Sequence, residues 1–192
     1  ADAETLGMLA RTHKDLGLAA GDAARRAAHF ESAFRIYREA YEAAARDARH
    51  ADAYYTGINA ATLAVFRGDL GTARRIARDV RWVCELAAGA GAAPDYWLEA
   101  TLGEAGLILG EEAGAIAHYS RAVQLAQGRY GNLSSTLRQA ELLAERLPGN
   151  HAWLRAVLCI PPVLMFTGHM IDLPWRPEPR FPAEIEAEVR EE

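Results

Sequence analysis

AIAHYSRA, Ala115 to Ala122, follows Gly110 after a short turn, and it has two counterparts upstream: AFRIYREA, Ala33 to Ala40, after Gly17, and ARRIARDV, Ala73 to Val80, after Gly68. Each begins with alanine, carries an aromatic or second small residue one turn later (Tyr37, Ala77, Tyr119), and continues to Ala40, Val80 or Ala122 on the same face. Steps of four and three residues return to one side of an α-helix. A small residue one turn before a larger one lets a second helix approach closely while the larger side chain fills the groove beside it. The glycine ahead of each stretch predicts the end of a preceding helix. The pattern therefore predicts antiparallel helix hairpins.

An isolated hairpin leaves an apolar face uncovered, and stacking the next hairpin covers it. Leu9-Ala10 and Leu102-Gly103 stand upstream of the first and third stretches, where a tetratricopeptide first helix carries its Leu-Ala or Leu-Gly pair. The repeat thus resembles the tetratricopeptide. The fold class expected is all-α: a tetratricopeptide-like right-handed superhelix of antiparallel helix hairpins, with a Pro-rich non-helical C-terminal extension. Ala33, Ala73 and Ala115 lie 40 and 42 residues apart, against a usual period of about 34. The extra residues are expected in loops around Ala19 to Ala28 and Gly89 to Asp95. A degraded fourth hairpin is predicted, with Ser134 or Ser135 capping a helix to about Leu147 and Asn150 capping one from His151 to about Cys159.

From Ile160 the composition changes. No alanine occurs between Val157 and Pro182, and six of the eight prolines lie from Pro161 onward. The domains expected are a helical repeat over 1–159 and a strand and linker extension over 160–192 that starts an α/β domain. Val163 to Phe166 reads as a lone buried strand, residues 173–182 as an extended connector, and Pro182 as the first turn of a helix. With no initiator Met and an ending inside the helix-forming run Ala183 to Glu192, the chain is expected to be part of a longer protein.

Charge narrows the function. The net charge is −5, with both signs interspersed, which gives no footprint for a polyanion and predicts no nucleic-acid binding. No uncharged apolar run reaches the roughly 18 residues of a membrane span, and no signal sequence opens the chain. Cys84 and Cys159 lack metal-type spacing, so a reduced, cytoplasmic protein is expected. Among His13, His29, His50, His118 and His151, no two share a helix turn in a metal-ligand arrangement. There is no Gly-x-Ser-x-Gly elbow, HExxH pair or phosphate loop. Neither enzymatic activity, cofactor nor metal is predicted.

YTGINAATLAVFRGD, Tyr55 to Asp69, and ETLGMLARTHKD, Glu4 to Asp15, resemble the TRAFs-binding domain of the apoptosis-signal-regulating kinases and of many bacterial proteins. STLRQAELL and FTGHMIDLPWRPEPRFP resemble its bacterial members, in which the helical region leads into an α/β domain. The resemblance implies a tetratricopeptide-like regulatory scaffold in a signalling or bacterial conflict-type protein. It does not imply that TRAF proteins bind.

First helices of such arrays line a concave groove. The repeat register places Arg11 and Lys14, then Tyr55, Ile58, Asn59, Thr62 and Phe66, then Trp97, Glu104 and Leu107 on or near it. Aromatic anchors beside polar groups suit a protein or peptide, or an adjoining domain of the same chain. Against this, aromatics at helical spacing usually seal neighbouring hairpins, and Asn59 is expected to bond a neighbouring helix backbone. Gly7, Trp97 and Thr101 stand where a carboxylate clamp for chaperone C-termini wants basic residues, so a chaperone adaptor is not expected. His169 and Asp172, with Arg176 and Arg180, are candidate ligand contacts of the α/β domain; the alternative is that this stretch docks the linker. The leading reading is a binding module. The alternative is the regulatory arm of a nucleotide-sensing or enzymatic protein whose α/β domain lies beyond residue 192, and self-association is a third possibility.

Overall fold

A computed structural model describes residues 3–89 and 95–159, and the backbone of 163–166 and 169–172. Eight helices appear among them: α1 (Ala3–Ala19), α2 (Ala23–Arg46), α3 (His50–Phe66), α4 (Leu70–Gly89), α5 (Tyr96–Leu109), α6 (Glu112–Ala126), α7 (Tyr130–Ala144) and α8 (Trp153–Val157). The fold is all-α and tetratricopeptide-like. Consecutive helices pair as α1–α2, α3–α4, α5–α6 and α7–α8, and first helices also touch one another, α1 on α3, α3 on α5 and α5 on α7. None of the helices among the described residues is long and apolar enough to cross a membrane.

Local chemistry sets the boundaries. Asp22 accepts from the Arg25 N–H at 2.8 Å, and Asp95 accepts from Trp97 and Leu98 N–H groups at 3.2 and 3.3 Å, capping α2 and α5. The Asp69 carboxylate accepts the Thr72 N–H at 2.9 Å ahead of α4, and that bond holds its pKa below the ordinary value. Gly68 and Gly110, both at φ +79°, end α3 and α5 in the left-handed region, where a side chain would be strained.

The predicted small-residue seam forms the core. Ala33, Ala73 and Ala115 are fully buried, as are Tyr37, Ala77 and Tyr119. A Cβ on Gly103 would lie 2.6 Å from the Tyr119 ring, and one on Gly57 would lie 2.5 Å from Val80 Cγ2, so bare backbone makes both approaches possible. Cys84 is a buried core residue whose thiol desolvation pushes its pKa up to about 12.

Several expectations are corrected. Gly17 does not end a helix; it lies inside α1, and the Phe30 ring sits 2.6 Å from where its Cβ would be. Residues 23–28 are not a loop but the first turns of α2, whose 24 residues absorb the extra length of that repeat. Ser134 and Ser135 do not cap a helix, because α7 already starts at Tyr130. Asn150 does accept the Ala152 N–H at 3.0 Å, ahead of the five-residue α8. Residues 90–94 lie outside the described ones.

The chain divides into Ala1–Leu158 and Cys159–Glu192. In the second unit β1 (Val163–Phe166) pairs antiparallel with β2 (His169–Asp172), with Val163 opposite Asp172 and Phe166 opposite His169. The strand expected to stand alone therefore finds its partner two residues later. The connector and the helix predicted after Pro182 lie outside the described residues.

Candidate functional site

First helices stacked side by side leave a concavity of about 240 Å³ in the helical unit. Seven of the ten predicted groove residues line it: Arg11 and Lys14 from α1, Tyr55, Ile58 and Asn59 from α3, Trp97 and Glu104 from α5. Residues separated by most of the chain meet here because each hairpin returns its first helix to the same side.

Aromatics form the rim. Tyr55 is 49% exposed and Trp97 47% exposed, so neither is spent on sealing hairpins. Each ring rests edge-on against a buried tyrosine, Tyr55 on Tyr37 at 6.4 Å and Trp97 on Tyr96 at 4.9 Å between centroids. Such packing fixes a ring while leaving one side open to a partner. Asn59 donates to the Tyr55 carbonyl at 2.9 Å, a bond within its own helix and not to a neighbouring one as expected.

Polar groups form the floor. Glu104 Oε1 accepts from the Thr62 hydroxyl and from Gln139 Nε2 at 3.1 Å, while Gln139 Oε1 accepts from Lys14 Nζ at 3.3 Å. This chain of bonds joins α3, α5, α7 and α1. Burial raises the Glu104 pKa, opposed by the bonds from Thr62 and Gln139 and by the charge of Lys14. Burial likewise lowers the Lys14 pKa, opposed chiefly by Glu104. Both groups are pushed towards their neutral forms, and each offsets the other.

Three predicted residues play different parts. Thr62 is fully buried under the floor as a donor to Glu104. Phe66 is absent from the lining; its ring lies 5.3 Å from Phe30, and the Arg146 guanidinium stands over it at 4.6 Å, so it packs between hairpins. Ile58 lines the cavity, whereas Leu107 is core.

The wall supplied by α7, with Ser135, Arg138, Gln139 and Leu142, was missed. The available signal was the step of the repeat: a helix starting at Tyr130 brings Gln139 round to the same side as Glu104. The Thr136 hydroxyl, 2.7 Å from the Tyr96 hydroxyl, ties that wall to α5. Arg138 joins Arg11 and Lys14, so the cavity gathers three basic side chains beside the acidic Asp15 and Glu104. In the second unit His169 and Asp172 are the end residues of β2, and Arg176 and Arg180 lie outside the described residues. Among the described residues no group of three or more His, Cys, Asp or Glu could hold a metal ion.

Residues 1–64 match the model of the family described as TPR-S, Tetratricopeptide Repeats-Sensor. The match spans α1, α2 and most of α3, and so includes Arg11, Lys14, Tyr55, Asn59 and Thr62. It supports a tetratricopeptide-like family. Comparison with curated proteins and with solved structures gives no match.

Proposed function

We propose that this chain is a protein-interaction or regulatory module whose concave face holds a peptide, a protein surface or an adjoining domain of the same chain. The observation that carries the reading is the pairing, in one cavity, of two half-exposed, edge-supported aromatics with a polar floor stitched across four helices. An aromatic anchor held rigid loses little freedom on binding, and a floor of fixed polar groups selects the partner's orientation. The sensor description of the matched family accords with a regulatory role. Kinship to the TRAFs-binding domain and a place in a larger signalling or bacterial conflict-type protein extend this proposal and rest on the sequence resemblance; a cytoplasmic setting extends it on the cysteine usage.

The test is recovery of partners by the wild type, by Tyr55→Ala and by Trp97→Glu, each checked for unchanged helicity. Loss of the same partners from both variants supports the groove. Undiminished recovery of every partner by both rules it out.

A second reading draws on the change of structure at Cys159, where helices give way to the β1–β2 hairpin. In it, the helical unit is the regulatory arm of a nucleotide-sensing or enzymatic protein whose α/β domain starts in 160–192 and includes His169, Asp172, Arg176 and Arg180. A longer chain that binds a nucleotide only when residues 160–192 are present would favour it.

A further inference from the structure

His13 on α1 and His29 on α2 bring their Nδ1 atoms within 3.1 Å, with ring centroids 5.4 Å apart and planes tilted by 43°. No spacing rule within one helix reveals this pair, because the residues lie 16 apart and meet across a hairpin. Both rings are partly buried. Their approach is set by the same bare backbone that seats Phe30: a Cβ on Gly17 would lie 3.4 Å from His29 Cβ. Close helix approach and a hydrogen bond between the rings thus hold the two nitrogens together.

From this geometry we infer a binding site for a divalent late transition-metal ion of the zinc class, bridging α1 to α2 through the two Nδ1 atoms. Two nitrogens bound at 2.0–2.1 Å with a tetrahedral angle between them are separated by about 3.3 Å. The observed separation of 3.1 Å needs only a slight opening of the pair. Neutral imidazole suits zinc, copper and nickel, and the calcium and magnesium class prefers oxygen. In the metal-free protein one ring donates its Nδ1–H to the other. On metal binding the donor ring changes tautomer, its proton passing through solvent to Nε2, and both Nδ1 lone pairs turn to the ion with no net proton release from a neutral pair.

No third His, Cys, Asp or Glu completes the set among the described residues. Water fills the remaining positions, which leaves an open site that an additional donor could enter. Arg26, one turn before His29, directs its guanidinium to the Ala20 carbonyl at 2.7 Å. His13 lies between Arg11 and Lys14 in sequence, so an ion held here pins the α1 wall of the cavity to α2.

The experiment is calorimetric titration of the 192-residue protein with zinc chloride at neutral to slightly alkaline pH, with melting temperature recorded beside it. Wild type and His118→Gln should each take up one ion per chain and melt at a higher temperature with zinc; the latter variant removes a different imidazole contact, that of His118 with the Glu99 carboxylate at 2.8 Å. His13→Gln and His29→Gln should both lose the uptake and the shift. Nitrogen-15 spectra of the wild-type imidazoles give a readout that no folding defect can mimic: zinc should move the Nδ1 signals of two rings, those of His13 and His29, first. Absence of uptake by the wild type, uptake undiminished in both variants, or earlier shifts at other histidines would each overturn the assignment.

Discussion

Replacing Gly103 by alanine tests the close approach on which the hairpins depend. The added Cβ would lie 2.6, 2.8 and 2.8 Å from Cδ1, Cε1 and Cγ of Tyr119. Carbon atoms rest at about 3.5–4.0 Å, so the ring or the helix must shift by roughly 1 Å. The near atoms include Cγ, at the root of the ring, so turning the far end of the side chain gives no relief. Tyr119 is fully buried and packs beside Trp153 at 6.4 Å between centroids. Overpacking of this kind costs about 1–3 kcal/mol, and so enclosed a site belongs at the upper end. Alanine regains about 1 kcal/mol of helix propensity. The net loss is about 2 kcal/mol, a fall in Tm of about 4–8 °C for a protein of this size. Gly114→Ala is the internal control. That glycine is exposed on α6 with none of the described residues near its would-be Cβ, so the propensity gain of up to about 1 kcal/mol should appear undiluted. Urea denaturation followed by circular dichroism reads both midpoints. Adding Tyr119→Leu to Gly103→Ala should lower the cost of the alanine, since the obstructing ring is gone. A Gly103→Ala protein as stable as wild type, alongside a stabilised Gly114→Ala, would refute the reasoning.

Two hydroxyl deletions should diverge. Tyr119 has a buried hydroxyl without a hydrogen-bond partner among the described residues, so Tyr119→Phe should be neutral or stabilise by about 1 kcal/mol; Tyr96→Phe strands the buried Thr136 hydroxyl and should cost about 1–2 kcal/mol in the same denaturation assay. The Glu104 carboxyl, raised by burial, keeps a proton in the folded state over a pH range in which the unfolded chain has lost it. Stability from this group is therefore full below the ordinary carboxylate range and falls as pH rises through the raised folded value. Glu104→Gln, which can still accept from Thr62 and Gln139, removes that decline: its Tm relative to wild type should increase as pH rises from the ordinary carboxylate range through neutrality. A Tm difference that stays constant over this range would show that Glu104 titrates alike in both states.

Repeat architecture and the seam of small residues were legible in the chain itself. Ala33, Ala73 and Ala115 declare which helix face must be closely covered, and Tyr37 and Tyr119 declare what fills the adjoining groove. Apolar periodicity is a local property, fixed by the turn of the helix, so it survives translation from sequence to structure. Boundaries were less legible where two signals compete. Gly17 carries the mark of a helix end, but burial against Phe30 keeps it helical, and Ser134 and Ser135 lie inside a helix that begins earlier.

The site divides along the same line. Membership of the groove by Arg11, Lys14, Tyr55, Asn59, Trp97 and Glu104 followed from register alone. Which polar groups touch did not: Lys14 and Gln139 are 125 residues apart, and their contact depends on the accumulated rotation of successive hairpins. Phe66, one turn beyond Thr62, shares its register, yet Phe30 and Arg146 enclose it. The His13–His29 pair is likewise set by helix packing. Sequence determined which faces are buried, because hydrophobic spacing acts within a helix. Tertiary structure alone decided which polar side chains meet, because those contacts depend on small offsets between helices that no single helix encodes.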